Sequence, residues 1–228
     1  MARSQDIAGA VALRYLGYKV TLRTTGALIS DVISGSPAAK AGLERTEVVT
    51  AVNGARVRTT ADLRRLISKH SPGEAIRLTV RSSKKLRQVR VRTVADAHDA
   101  KRAVIGVYVA QATLVKLPFA VRIDTGSIGG PSAGLAFALD VLEELGRDVD
   151  RGNKVAATGE LALDGSVIPI GAVKQKAIGV RRAHVDVFLV PAGDNVEEAR
   201  KWAGPVRVIA VESFLQALRA LSTLPPKR

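Results

Sequence analysis

The chain has 228 residues, a formal net charge of +14 and a hydrophobic fraction of 46%, a composition typical of a folded protein. It lacks cysteine and has only three scattered histidines, which excludes disulfides and a cysteine nucleophile and argues against a metal site. We expect neither a metal nor a cofactor, and no apolar run reaches the roughly 18 residues that span a bilayer. Residues 1–96 carry 18 Lys and Arg against 7 Asp and Glu, an asymmetry that indicates two units with different partners.

The first half is predicted to form one helix followed by a β-rich unit with two further short helices. Ser4 and Gly17 bound a segment with helical signals, and Thr60 is a predicted N-cap. Asn53-Gly54 predicts a hairpin turn, because both residues tolerate positive φ. The predicted helices are 4–16, a very short one within 35–43, and 61–69, and the predicted strands are 18–25, 27–33, 47–52, 76–81 and 86–94.

The second half follows a small polar boundary at 96–100 and alternates strands with helices. That alternation indicates an α/β or α+β arrangement. A glycine-rich loop at 126–131 leads into a helix predicted to begin at Ser132. The predicted strands are 103–110, 119–124, 155–163, 167–170, 185–191 and 206–211, and the predicted helices are 132–145, 172–183, 196–202 and 213–221.

Three short motifs follow one another in the first half: Gly35-Ser36-Pro37-Ala38, Ala41-Gly42-Leu43 and Val49-Thr50-Ala51-Val52-Asn53-Gly54. Together they resemble the PDZ domains of bacterial HtrA-type and other envelope proteases, although Thr46-Glu47 replaces the usual Gly-Asp. The resemblance implies a domain that binds a C-terminal peptide as an added strand. The implied binding residues are Leu16, Gly17 and Tyr18, beside an edge strand at Lys19–Leu22. Alternatively, Leu16 and Tyr18 only seal the junction between helix and strand.

Two segments of the second half contain residues suited to catalysis. Gly129-Gly130-Pro131-Ser132-Ala133-Gly134 places a serine at a helix start, where backbone amides can stabilise an oxyanion, although such a serine is more often a plain N-cap. Lys176 lies among apolar residues of a predicted helix. Burial there would lower its pKa, as a general base requires, although most helical lysines are simply solvated.

Thr158-Gly159-Glu160 begins 26 residues after Ser132, and Pro169-Ile170-Gly171-Ala172-Val173-Lys174-Gln175-Lys176 ends 44 residues after it. With Pro131-Ser132-Ala133-Gly134, this order resembles the proteolytic domain of Lon proteases over about residues 103–221. The resemblance implies that Ser132 is the nucleophile, that Lys176 rather than Lys174 is the base, and that Thr158 hydrogen-bonds the lysine amine. The implied oxyanion and substrate loop is Gly129, Gly130 and Pro131. Gly129 departs from the family, which often has an acid there.

Both resemblances together imply an α+β chain: an N-terminal helix at 1–14, a small β-rich PDZ-like domain with two helices at 15–96, and an α/β Lon-type domain at 101–224. No Gly-x-x-x-x-Gly-Lys-Ser/Thr motif occurs, so we expect an ATP-independent serine endopeptidase acting on unfolded or PDZ-recruited proteins. The alternative is a catalytically idle peptide-binding scaffold.

The domain order also resembles that of the membrane-tethered Lon-like proteases of Gram-positive bacteria. That resemblance implies an extracytoplasmic location, a membrane anchor outside these 228 residues and ring-shaped homo-oligomers. The positive charge is expected to favour an anionic membrane surface over specific nucleic-acid binding, because the first half has no Phe or Trp to stack on bases.

Overall fold

The structure, a computed structural model, describes residues 2–82, 85–122 and 130–227. Its contacts divide the chain into a terminal unit, Met1–Thr21 with Val115–Arg228, and a central unit, Leu22–Leu114. The helices are α1 (Ala2–Tyr15), α2 (Pro37–Lys40), α3 (Thr60–Ile67), α4 (Gly134–Glu144), α5 (Val173–Arg182), α6 (Asp194–Trp202) and α7 (Phe214–Ser222). The strands are β1 (Thr21–Val32), β2 (Val48–Val52), β3 (Ala55–Arg56), β4 (Ala75–Ser82), β5 (Lys85–Arg92), β6 (Val94–Ala95), β7 (Ala103–Val104), β8 (Val107–Lys116), β9 (Val155–Ala157), β10 (Glu160–Leu161), β11 (Val167–Ile168), β12 (Val187–Pro191) and β13 (Arg207–Val211).

This mixture of helices and sheets confirms the predicted α+β class. The predicted domain boundaries remain predictions, whereas the contacts group α1 with the terminal unit and residues 97–114 with the central unit. Within the described residues, no helix is both long enough and apolar enough to cross a membrane.

The central unit is built on a sheet with the strand order β5-β4-β2-β1-β8, to which β3 is added beside β2. The predicted hairpin turn is confirmed: Val52 pairs with Ala55 across Asn53-Gly54, whose φ values are 47° and 83°. Helix α3 begins one residue earlier than predicted, and its N-cap is Thr59 rather than Thr60. The Thr59 hydroxyl accepts from the Asp62 amide, and the Asp62 carboxylate accepts from the Thr59 amide, which forms a capping box.

Strand β1 differs from the two strands predicted around Gly26. It runs through Gly26, whose φ of 147° suits glycine and where a Cβ would lie 2.5 Å from the Val49 carbonyl oxygen. The side of β1 away from β2 is paired with β8. The Gln111 side chain donates to the Gly26 carbonyl at 3.0 Å, and the Ile33 amide donates to the Gly106 carbonyl at 3.0 Å. Strand β8, which is distant from β1 in the sequence, therefore covers the edge of β1 that faces away from β2.

In the terminal unit, α1 packs against α4, and three parallel strands form the sheet β13-β12-β9. Every residue of β12 is buried, as its continuous apolar sequence allows. The predicted strand at 155–163 is interrupted at Thr158-Gly159, which separates β9 from β10. The predicted strand at 119–124 is not observed at residues 119–122, and the rest of it lies outside the described residues.

Candidate active site

Ser132 lies in a single 3₁₀ turn, Pro131–Ala133, that leads directly into α4. Helix α4 therefore begins two residues later than predicted. Gly130 precedes the turn with φ 95°, a conformation that favours glycine, and proline has the fixed φ that suits the start of a helical turn. Ser132 is half-buried. Gly129, predicted to belong to the same loop, lies outside the described residues.

The main chain around Ser132 is held by the segment that separates β9 from β10. The Ser132 carbonyl oxygen accepts from the Thr158 hydroxyl at 3.0 Å and from the Gly159 amide at 2.8 Å. The Leu135 amide donates to the Gly159 carbonyl at 3.1 Å. Thr158 is 4% exposed, and its amide donates to Leu189 of β12. The buried sheet thus fixes the position of the serine.

Thr158 was expected to hydrogen-bond the amine of Lys176. In the structure, the Thr158 hydroxyl donates a hydrogen bond to the Ser132 carbonyl, so Thr158 positions the turn that carries the serine. Nothing in the described hydrogen bonds joins Thr158 to Lys176.

Lys176 is half-buried near the start of α5. Its Nζ donates to the Gly171 carbonyl at 3.4 Å. Partial burial lowers the pKa of this amine below its ordinary value of 10.5, because removal from water disfavours the ammonium form. Ser132 and Lys176, both described residues, do not hydrogen-bond to each other in this structure.

Lys174, two residues earlier on α5, has a different environment. Its Nζ lies 4.0 Å from the ring centroid of Trp202 on α6, in a cation–π contact. Lys174 is exposed, whereas Lys176 is half-buried. The difference in burial favours Lys176 over Lys174 as a base.

Asn195, a residue that the sequence analysis missed, holds the segment that leads into α5. It is 8% exposed, and its Oδ1 accepts from the Ile170 amide at 2.8 Å while its Nδ2 donates to the Ile170 carbonyl at 3.0 Å. Gly171, whose carbonyl receives Lys176, is the next residue, and Ala172 after it adopts a left-handed φ of 57°. Strained residues of this kind are concentrated at functional sites. No local pattern in the sequence pairs Asn195 with a residue 25 positions away.

The predicted peptide-binding residues Leu16, Gly17 and Tyr18 lie at the end of α1. Their amides donate to the carbonyls of Ala12, Arg14 and Leu13 at 3.1, 3.0 and 2.9 Å, respectively. These three amides therefore cap the end of α1. The Tyr18 ring also meets the ring of Phe119 edge-on, with centroids 5.5 Å apart. Such contacts are those of a junction between helix and strand, and the role of these residues in peptide binding stays a prediction.

One group of acidic side chains in the described ranges could share a cation: Glu143, Asp148 and Asp150, whose oxygens lie within 4.8 Å of one another. Glu143 Oε1 accepts from the amides of Val149 and Asp150 at 2.6 and 2.8 Å. These bonds explain the position of Glu143 as the anchor of the following turn. They do not test metal binding, so the expected absence of a metal stays a prediction.

Two known protein families match parts of the chain. The PDZ domain matches residues 14–93, and the Lon protease (S16) C-terminal proteolytic domain matches residues 73–213. The second match covers more than half of the chain. The chain belongs to the Lon protease (S16) proteolytic-domain family.

Part of the chain resembles individual Lon proteases. The chain is 36% identical over 105 residues to the Lon protease of Clostridium beijerinckii, and the matched segment covers 43% of this chain and 13% of that protein. It is 38% identical over 112 residues to the Lon protease of Chloroflexus aggregans, which covers 46% of this chain and 13% of that protein. The chain thus matches only a small part of these relatives' length.

Among solved structures, the PDZ domain of an SdrC-like protein from Listeria monocytogenes is similar at 19% sequence identity, with a TM-score of 0.34. That similarity covers 37% of this chain and 87% of the solved domain.

Proposed function

We propose that the chain is a serine endopeptidase in which Ser132 is the nucleophile and Lys176 is the general base. The observation that carries the proposal is the half-buried Lys176, whose pKa is lowered by desolvation, in a chain of the Lon proteolytic family. A neutral amine is needed to accept a proton from serine, and a lowered pKa increases its population at neutral pH.

The reaction begins when neutral Lys176 accepts the hydroxyl proton of Ser132 as Oγ attacks the peptide carbonyl carbon. The resulting oxyanion accepts hydrogen bonds from backbone amides of the Gly130–Ser132 region, in which Pro131 has no N–H to give. Collapse of the intermediate breaks the C–N bond, and Lys176 gives its proton to the leaving amine. Water then attacks the acyl ester, Lys176 takes a proton from the water, and that proton returns to Ser132 Oγ as the ester bond breaks.

The proposed mechanism requires the Lys176 amine to exchange its present partner. Its Nζ now donates to the Gly171 carbonyl, so it must turn from this oxygen towards Ser132 Oγ. Catalytic hydrogen bonds often form only when substrate is bound. We therefore expect an extended substrate beside the 3₁₀ turn to complete the Ser–Lys contact.

The finer features of the proposal come from the sequence. We propose that cleavage proceeds without ATP, on unfolded or PDZ-recruited proteins, and that the chain works in ring-shaped homo-oligomers. We also propose an extracytoplasmic location at a membrane, because the domain order resembles that of membrane-tethered Lon-like proteases.

The test measures cleavage of casein and of a fluorogenic peptide library without ATP. Ser132→Ala and Lys176→Ala should each lower kcat/KM by about 10³-fold or more, because either change removes the dyad. Lys174→Ala is the matched control on the same helix and should keep near-normal activity. The kcat/KM of the unchanged chain should rise with pH to a plateau, because only the neutral amine of Lys176 accepts a proton. The midpoint of this rise should lie below pH 10.5.

Cleavage that survives Ser132→Ala would refute the assigned nucleophile. A loss in Lys174→Ala with none in Lys176→Ala would refute the assigned base. If the folded chain cleaves nothing under any of these conditions, the idle peptide-binding scaffold becomes the better description.

A further inference from the structure

The positive charge of the chain is concentrated in the central unit. Residues 22–114 contain seventeen Lys and Arg against seven Asp and Glu, a net charge of +10, although the whole chain carries only +14. Within this unit, residues 75–92 contain seven Lys and Arg and no acidic residue. This segment contains the two antiparallel strands β4 and β5.

The strand register places most of these charges on one face of the sheet. Arg77 pairs directly with Arg90, Ala75 pairs with Arg92, and Arg81 pairs with Leu86. The alternate residues of β4 are all 0% exposed and form the core with α3; they are Ile76, Leu78 and Val80. Because side chains alternate along a strand, Arg77, Arg81, Arg90 and Arg92 share the opposite face. These four residues are the arginine face.

Among the described residues, no acidic group neutralises the charges of the arginine face. Throughout the described part of the chain, none of the four arginines forms an ion pair. Arg87, which the register places on the core side, is different: it pairs with buried Glu47 at 2.8 Å. Arg77 and Arg90 are directly opposite each other, and like charges so placed tend to destabilise a sheet. Within the described residues, no acidic partner offsets this repulsion.

Two of the four guanidinium groups are held in place by neutral acceptors. Arg81 donates to the Thr25 hydroxyl at 3.2 Å, and Arg92 donates to the Gly73 carbonyl at 2.9 Å. A neutral acceptor orients a guanidinium group but does not cancel its charge. The arginine face thus presents cations from two paired strands side by side.

An exposed apolar side chain lies on the same face. Leu86, opposite Arg81, is 66% exposed, more than any other large hydrophobic side chain that the structure describes. An apolar side chain among cations is suited to the boundary between lipid headgroups and acyl chains. Cations near an anionic leaflet each add about 1 kcal/mol of attraction.

Nucleic acid fits this surface less well than a membrane. Strands β2 to β5 contain no aromatic residue in their described sequences, so the face has no platform on which bases could stack. We infer that the arginine face, together with Leu86, docks on an anionic phospholipid membrane. This function involves the central unit and is additional to the peptidase proposed for the terminal unit.

The test is co-sedimentation of the full chain with vesicles that contain phosphatidylglycerol and phosphatidylcholine, compared with vesicles of phosphatidylcholine alone. The double variant Arg77→Gln/Arg90→Gln should bind the anionic vesicles about 25-fold more weakly, since each arginine near the surface contributes a factor of about five. The matched control is Arg64→Gln/Lys69→Gln, which removes two exposed charges from α3 and the residues just after it, on the other side of the sheet. The control should weaken binding by less than about threefold, because these charges face away from the membrane.

Leu86→Gln keeps the charge and should weaken binding by about threefold through the loss of apolar burial. Circular dichroism establishes that each variant is folded. Equal losses in the two double variants would reduce the effect to net charge and overturn the proposal. It is also overturned if the chain ignores anionic vesicles, or if it binds a short unrelated DNA duplex more tightly through Arg77 and Arg90.

Discussion

Asn195→Ala is expected to loosen the segment that carries the acceptor for Lys176. The Asn195 amide bonds both the amide and the carbonyl of Ile170, and no other described residue bonds these two groups. Truncation leaves the main chain of Ile170 without its partners, immediately before Gly171 and the left-handed Ala172. The change is therefore local to the entrance of α5.

The size of the effect follows from two hydrogen bonds. Each neutral hydrogen bond contributes about 1 kcal/mol, and leaving the Ile170 groups half-buried and unpaired adds to the loss. We expect Asn195→Ala to lower the free energy of unfolding by about 2–3 kcal/mol. Asn195→Asp keeps the acceptor for the Ile170 amide but turns a second oxygen towards the Ile170 carbonyl, so it should not restore the stability.

The matched control is Asn153→Ala. Asn153 is 6% exposed and also lies in the terminal unit, but its Nδ2 donates to the carbonyls of Asp150 and Pro225, away from the Lys176 segment. Both variants should lose stability. Only Asn195→Ala should lower kcat and move the midpoint of the peptidase pH profile towards 10.5, because Lys176 then becomes better solvated.

Urea unfolding followed by the fluorescence of Trp202 measures the loss directly. Trp202 is the single tryptophan of the chain and lies on α6, the helix that carries Asn195. A loss below about 0.5 kcal/mol for Asn195→Ala would refute the reasoning, because ordinary surface substitutions fall within that range. Identical pH profiles for the two alanine variants would show that Asn195 is structural and does not position Lys176.

Two further predictions concern packing and capping. Gly134→Ala should destabilise the terminal unit by about 1–3 kcal/mol in thermal unfolding, because the new Cβ would lie 2.9 Å from the Leu161 amide nitrogen. Gly179→Ala, at an open position of α5, should instead be neutral or stabilising, and equal losses would contradict the packing argument. The pKa of Asp62 is lowered from 3.8 to about 2, chiefly by the Arg65 side chain, so its stabilising effect is present above pH 4 and is lost as pH falls towards 2. Asp62→Asn should remove that part of the acid-unfolding curve, and an unchanged curve would contradict the assignment.

Local signals in the sequence were sufficient for many elements. Asn53-Gly54 predicts its hairpin because the positive φ values required at both positions suit few other residues. Helix α7 begins at Phe214 after its Ser213 cap, close to the predicted start, and the continuous apolar run of β12 marks a buried strand. Such features depend on neighbours along the chain, which a single sequence displays.

Non-local pairing was the part that the sequence could not provide. The break predicted between two strands at Gly26 was wrong, because β8, which is distant in the sequence, pairs with β1 and one continuous strand results. The bond from the Thr158 hydroxyl to the Ser132 carbonyl was not predicted, because these residues lie 26 positions apart and only the fold brings them close. Only the tertiary structure decides such choices.

The environment of Lys176 has to satisfy two opposing requirements. Apolar neighbours lower the pKa of its amine, but an ammonium removed from water is stable only if it keeps a hydrogen-bond acceptor. The Gly171 carbonyl supplies that acceptor at 3.4 Å, a long bond that stabilises the cation only weakly. Asn195 fixes Ile170, the residue before this carbonyl, and α5 fixes the lysine Cα. The backbone therefore fixes both the acceptor carbonyl and the point from which the lysine side chain starts, which is why Asn195, through its bonds to Ile170, is expected to influence the proton affinity of the base.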